Sequence, residues 1–341
     1  MDPAADAAWA KLGLDAIQRS AAGERPLFRI GLEAQQHFAL LAPEDGPEAP
    51  PRWAVLSGRL LRAQRDAPLL RPAVGDFVVA SGGADGQGWR IEEVLPRRTR
   101  FVRRSARRDG PQLVAANVDR VLVVTSPNDD FSPRRIERYL TTIHASGARP
   151  ALVLNKVDLV DDPDPWLARM RAVALDAPIV ATSARGGGGL SGLAPWLGPG
   201  STLALVGSSG VGKSSLINAL FGADRQRVRA IREDDAKGRH TTTHRELLRL
   251  PIGEDGAERG LLVDTPGMRA IGLWTDPEGV LEAFSDIAAL ASGCRFNDCR
   301  HDAEPGCAVR AAAEAGELSA SRLASFRRLR AETAERPRRG R

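Results

Sequence analysis

The spacing of apolar and polar positions changes character twice along this chain. From about Arg25 to Val102 the apolar residues fall in short runs broken by turn residues: LFRIGLEA, HFALLAP, RWAVLSGRLLR, VGDFVVASG and WRIEEVL, with GGADGQG as a loop. Runs of this length bounded by Gly, Pro and Asp predict strands. Five of them with almost no helical period predict a small barrel of the oligonucleotide-binding (OB) type. Phe28, Phe38, Trp53, Phe77 and Trp89 then either fill the barrel or stack on bases in a groove. Residues 1–24 read as a helical or loosely ordered leader.

Further on, strands and helices alternate. DRVLVVTS (119–126) is a continuous apolar run, as a parallel strand buried on both faces requires. A helix from about Pro133 to Ser146 follows, then ALVLNKVDL, a helix near 165–175, APIVATSA, TLALVGSSG, a helix from Lys213, ELLRLPI and GLLVDTPG. Repeated β-α units predict a doubly wound sheet with its ligand at the strand C-termini. From about Pro277 the chain is helix-prone and interrupted by cysteines. The expected organisation is a leader (1–24), an OB-type β-barrel (25–102), a basic linker (103–116), an α/β phosphate-loop domain (117–274), a helical metal-binding domain (275–335) and a basic tail (336–341).

Composition adds little until charge is mapped. The chain has 341 residues, 43% hydrophobic and 27% charged, and a net charge of +5, which is ordinary for a multidomain globular protein. No run is long and apolar enough to span a membrane, and the N-terminus lacks a basic start followed by an apolar stretch, so a cytoplasmic protein is expected. Seven arginines lie between Arg97 and Arg108 and seven between Arg327 and Arg341. They read either as a solvated linker and tail or as a surface for nucleic acid.

The chemistry sits in five short segments. Gly207-Ser208-Ser209-Gly210-Val211-Gly212-Lys213-Ser214, followed by Ser215, satisfies the phosphate-loop pattern between an apolar strand and a helix. Its backbone N–H groups and the helix N-terminus suit phosphate; Lys213 should reach the β- and γ-phosphates and Ser214 should ligate Mg²⁺. Asn155-Lys156-Val157-Asp158 selects the base. The Asp158 carboxylate can accept from guanine N1–H and the 2-amino group, which adenine cannot match; Asn155 can serve another edge, and the Lys156 stem can cover the ring. Asp264 and Gly267 of DTPG suit the Mg²⁺ shell and the γ-phosphate, and a backbone N–H at Ser183-Ala184 would meet the guanine oxygen. Between these lies GRHTTT. Thr242 is the candidate to complete the Mg²⁺ shell, with Thr241 and Thr243 as alternatives. Met268 stands where a water-orienting glutamine is common, so unaided hydrolysis should be slow, and His240 is the local candidate to position the water. The segments Asn155–Asp158 and Thr182–Ala184 precede the phosphate loop, which is the order of a circular permutation; that order joins DTPG directly to the C-terminal domain.

All three cysteines fall in Cys294-x₄-Cys299-x-His301-x₅-Cys307. Three thiolates and one imidazole suit tetrahedral Zn²⁺ with no open position, hence a structural ion.

With these residues quoted, the chain resembles the ribosome small-subunit-dependent GTPase A family (RsgA, also called YjeQ). The resemblance runs from about residue 25 to 330 through VGD (74–76), VLPRRT (94–99), ANVD (116–119), LNKVDL (154–159), GSSGVGKSSLIN (207–218), GRHTTT (238–243), DTPG (264–267) and CRFNDCRHDAEPGC (294–307). It implies an OB-type barrel, a permuted GTPase domain using GTP/GDP and Mg²⁺, and a zinc-binding helical domain. It also implies a factor that binds the maturing small ribosomal subunit and its rRNA, assists its late assembly, and is stimulated by it. A monomer without membrane contact is expected. The alternative is a GTPase switch whose barrel binds a non-ribosomal protein. This chain departs from the family in its leader and in having only four lysines, Lys156 and Lys213 among them.

Overall fold

The computed structural model describes residues 3–46, 49–83, 88–104, 111–174, 176–222, 245–253, 256–264, 284–318 and 320–334. His240, Thr242 with its neighbouring threonines, Gly267, Met268 and the tail 336–341 lie outside them.

The leader is helical: α1 (Pro3–Lys11) and α2 (Ala16–Ala22), the second started by an Asp15/Gln18 capping box. Five strands follow, β1 (Leu27–Ala34), β2 (His37–Leu41), β3 (Arg52–Leu56), β4 (Phe77–Ser81) and β5 (Trp89–Val94). They pair in the order β1-β2-β3-β5-β4, and β4 returns to β1, closing the barrel. Phe28, Phe38 and Phe77 are core residues, whereas Trp53 is 41% exposed on the outside. RWAVLSGRLLR is not one strand. It splits at Ser57, whose Oγ accepts from the Leu60 amide and caps helix α3 (Gly58–Asp66).

The basic linker expected at 103–116 is also different. β6 (Arg100–Arg104) and β7 (Pro111–Ala116) form an antiparallel ribbon, and Leu113 to Ala116 are buried. Short apolar pieces between arginines hid the strand pattern; burial against the VGD loop, through the Val74–Ala115 bridge, makes it a strand.

The α/β domain comprises β8 (Arg120–Thr125), α4 (Pro133–Ala145), β9 (Arg149–Asn155), α5 (Asp164–Arg171), β10 (Ile179–Thr182), β11 (Thr202–Val206), α6 (Lys213–Phe221), β12 (Arg245–Arg249) and β13 (Leu261–Asp264). The order β10-β9-β8-β11-β13 is parallel, with β12 antiparallel at the end. Strands β8, β9 and β11 are almost wholly buried, so their apolar runs need no alternation. β12 then pairs with β1 through Glu33↔Arg245 and Leu32↔Glu246, so sheet and barrel share one continuous ladder.

A second tie is built around Arg29, fully buried on β1. Its guanidinium donates to the carbonyls of Leu12, Gly75 (3.1 Å) and Asn117 (3.2 Å) and to Thr202 Oγ1 (3.0 Å), and lies 4.9 Å over the Phe77 ring. Asn117, held at φ 55°, donates to Gly75 and accepts from Gln18 and the Arg98 amide. Asp76 accepts from Arg97 Nε and Nη2, both at 2.7 Å. One polar cluster thus joins leader, barrel and sheet. Burial pulls the Arg29 guanidinium down to about 9, opposed by Asp119, and it remains charged at neutral pH.

The C-terminal region packs α7 (Ser285–Ala291), α8 (Ala308–Glu314) and α9 (Ala320–Ala334) around Phe284, Ile287, Val309, Leu323 and Phe326. The cysteines lie between α7 and α8.

Candidate nucleotide site and metal centre

At the C-terminal ends of β9, β10 and β11 a cleft of about 570 Å³ is lined by Asn155, Lys156, Asp158, Leu159, Ala184, Arg185, Ser209, Gly210, Gly212, Lys213, Ser214 and Ser215. β11 delivers the phosphate loop and α6 begins at Lys213, so its first-turn amides face the cleft mouth. The loop depends on glycine where the chain passes other backbone. At Gly207 (φ 144°) a Cβ would lie 2.2 Å from the Val124 carbonyl oxygen, and at Gly212 (φ 95°) 2.1 Å from Asn155 Nδ2.

Asn155 is a strut as well as a lining residue. Its Nδ2 donates to Val211 O (2.9 Å), and its Oδ1 accepts from Ala184 N (3.0 Å) and Thr182 Oγ1 (3.2 Å). It thereby ties the phosphate loop to the Thr182–Ala184 turn, and one amide hydrogen of Nδ2 is left over. Lys156 takes a left-handed conformation (φ 67°) and its Nζ donates to Gly210 O at 2.6 Å, laying its stem across the cleft. Lys213, 8% exposed, donates to the carbonyls of Gly207 (2.7 Å) and Ser208. Asp264 ends β13, beside the end of β11 where the phosphate loop starts.

Other candidates sit beside the cleft. Val211 is buried in the core. The Ser183 amide is used by Gly188 O (2.8 Å) and its Oγ accepts from Gly186 N (3.1 Å). Ser208 Oγ meets Arg135 on α4, which also pairs with Asp130; that pairing holds the Asp130 carboxyl below its ordinary range. Sequence reasoning missed Leu159 and Arg185. Leu159 is 69% exposed beside Asp158, an apolar side chain free to cover a ring. Its only signal was an apolar residue on a turn.

The ligand atoms of Cys294, Cys299, His301 and Cys307 all lie within 4.8 Å of one another. Sγ of Cys294 is 3.9 Å from Sγ of Cys307, and His301 Nδ1 is 3.6 and 3.5 Å from these two sulfurs. Tetrahedral zinc with ordinary Zn–S and Zn–N lengths gives edges of about 3.8 and about 3.6 Å, so the donor set fits that ion. Burial pushes the Cys299 thiol up to about 11 and the His301 imidazolium below its usual value. The imidazole is therefore neutral and ready to ligate at pH 7, while the thiol gives up its proton to a metal. Helix α9 fixes the cluster from behind. Arg327 donates to the His301 carbonyl and Arg330 to the Cys299 carbonyl (3.0 Å); sequence reading grouped these arginines with the basic C-terminal cluster, as a solvated tail or a nucleic-acid surface.

A phosphate loop, an Asn-Lys-x-Asp turn placed before it, a closed five-stranded barrel and a Cys₃His cluster together define a circularly permuted GTPase with two accessory domains. Comparison with known proteins agrees. The family model "RsgA GTPase" matches residues 94–274. The chain is 48% identical over 291 residues to the small ribosomal subunit biogenesis GTPase RsgA of Opitutus terrae, covering 82% of this chain and 77% of that one. The crystal structure of YjeQ from Thermotoga maritima superposes with a TM-score of 0.65 at 28% identity, covering 92% of this chain and all of that one. That of YloQ, a circularly permuted GTPase, gives 0.61 at 26% identity, covering 93% and 98%. This chain belongs to the RsgA GTPase family.

Proposed function

We propose that this GTPase acts on the small ribosomal subunit, binding its rRNA and assisting its late maturation in the cytoplasm, with hydrolysis stimulated by the subunit. The observation that carries the reading is the high identity to proteins named for small-subunit biogenesis over most of the chain. The basic clusters support an RNA partner.

In this reading Asp158 accepts from the guanine edge, while Asn155, Lys156 and the Ser183-Ala184 turn hold the base. The amides of residues 207–215 cradle the phosphates and Lys213 neutralises the β–γ bridge. Ser214 and Thr242 ligate Mg²⁺, with Asp264 in its outer shell and Gly267 on the γ-phosphate. Bound Mg²⁺ offsets charge on the β- and γ-phosphates. His240 positions the water, in place of the glutamine that Met268 replaces. Cys294, Cys299, His301 and Cys307 hold one structural Zn²⁺, and the protein acts as a monomer.

The test is GTP hydrolysis with purified small subunits, with large subunits, and alone. Stimulation by small subunits only is expected; equal rates in all three would remove the partner while leaving the enzyme. Metal analysis should find one zinc per chain and lose it in Cys299→Ser; retained zinc would refute the ligand set.

A further inference from the structure

At the end of the sheet opposite the nucleotide, β8 begins at Arg120 and β9 at Arg149, and the two are register partners on adjacent parallel strands. Partners in register leave the same face of a sheet, so the two guanidinium stems run side by side. An open cleft of about 340 Å³ lies there, lined among others by Arg98, Asp119, Arg120, Arg149, Trp196 and Ser201.

Among the described residues, no carboxylate balances the charge that Arg120 and Arg149 bring to this cleft. Arg120 lies 5.1 Å over the Trp196 ring and donates to Pro150 O at 3.3 Å, neither of them an anion. Asp119 is spent: Oδ1 accepts from Arg98 (3.0 Å) and Oδ2 from the Thr202 amide (2.8 Å). Among the described residues, no carboxylate forms an ion pair with Arg120 or Arg149. Burial lowers the Arg120 guanidinium and the Arg149 charge lowers it further. Like charges placed side by side across a sheet destabilise it, and a bound anion reverses that sign.

We propose that this cleft binds the phosphodiester backbone of RNA, with Arg120 and Arg149 on phosphate oxygens and Trp196 against a ribose or base. Guanidinium forks match phosphate oxygens better than ammonium groups do, and an aromatic beside them adds a stacking face indifferent to sequence. A free anion needs no such open-sided cleft or ring, whereas a strand must enter and leave. The proposal rests on the ribosomal reading and adds to it a contact on the α/β domain, remote from the nucleotide.

The experiment is equilibrium binding of the full-length chain to purified small ribosomal subunits across a salt series, comparing wild type with Arg120→Gln/Arg149→Gln. A charge-matched control changes the exposed Arg138 and Arg171 to Gln. A fluorescein-labelled, mixed-sequence single-stranded RNA serves as second probe, and polyglutamate as third. The double variant should bind subunits about 10-fold more weakly near physiological salt, and its log–log salt slope should fall by about 1.4–1.8, two phosphate contacts' worth. The control pair should follow wild type. Should thermal unfolding show the double variant misfolded, Arg149→Gln alone carries the test with half the slope change.

Unchanged affinity and slope, or equal loss in the control pair, overturns the cleft while leaving the ribosomal reading intact. If wild type ignores subunits, that reading fails, and loss of labelled-RNA binding in the double variant still supports the cleft. Wild type ignoring both RNAs, or a variant losing only polyglutamate, overturns it.

Discussion

At the C-terminal ends of β9, β10 and β11, polar groups look into an open cleft; at the joint between barrel and sheet, polar groups of the same types look at each other. Lys156, Asp158, Ser214 and Ser215 line volume. Arg29, Asn117 and Asp76 are 0%, 1% and 0% exposed, and their side chains are taken up by named protein atoms. The polar groups of the cleft border open volume. The joint has no such vacancy: its buried cation is tolerated because three carbonyls, a hydroxyl and an aromatic face replace water. Substitutions at the two places should therefore fail differently, in chemistry at the cleft and in stability at the joint.

The sharpest separation comes from Lys213→Ala. In the proposed reading it removes the cation beside the β–γ bridge without touching the joint, so GTP turnover should fall by about 10²–10³-fold or more while the urea midpoint stays near wild type. A comparable loss of stability would show that cleft and joint are not independent.

Arg29→Met is the converse. It leaves Leu12 O, Gly75 O, Asn117 O and Thr202 Oγ1 without their shared donor. A cost of about 3–5 kcal/mol is expected, as when one member of a buried charged network is removed. Denaturant unfolding measures it. A cost below about 1 kcal/mol would mean that water fills the site and that the ladder between β1 and β12 holds the domains by itself.

This contrast also explains what could be read from the sequence. A ligand-binding motif is recognisable because its residue types answer to a ligand of known chemistry; Gly207 to Ser215 and Asn155 to Asp158 point to phosphate and guanine from the sequence alone. VGD and ANVD carried no such signal. Asp76 answers to Arg97, and Asn117 to Gly75 and Gln18, positions 21, 42 and 99 residues away. Only the fold brings those partners together. The same reasoning covers the ribbon of β6 and β7, where Leu113 and Ala116 are buried with Ala73 and Ala115 bridges Val74. The split at Ser57 was local and legible: a serine ahead of GRLLR is a helix-cap signal that the apolar run around it obscured. The barrel's closure through β1 and β4 required the register, while its strand number did not.

Asp158→Asn probes selectivity within the cleft. In the proposed reading it should weaken GTP binding by about 100-fold, since an acceptor becomes a donor against guanine N1–H, and should raise acceptance of xanthosine triphosphate. Fluorescent-nucleotide titration reads both. An unchanged GTP:XTP ratio would assign base recognition elsewhere, with Arg185 the next residue to test.

The smallest effect tests the joint's wiring. Thr202→Val keeps the shape of a buried side chain and deletes one acceptor, Oγ1, from Arg29 Nη2; the Thr202 amide keeps its bond to Asp119. An unsatisfied charged donor costs about 1.5–3 kcal/mol, less here because Nη2 retains the Asn117 carbonyl, so about 1–2 kcal/mol is expected. In the Arg29→Met background the same change should cost almost nothing, because the hydroxyl has already lost its donor. A double-mutant cycle of chemical denaturation therefore gives a coupling close to the whole single-variant effect. Additive costs would mean that Thr202 stabilises β11 without Arg29, and that the guanidinium's hold on the sheet runs through the Asn117 carbonyl alone.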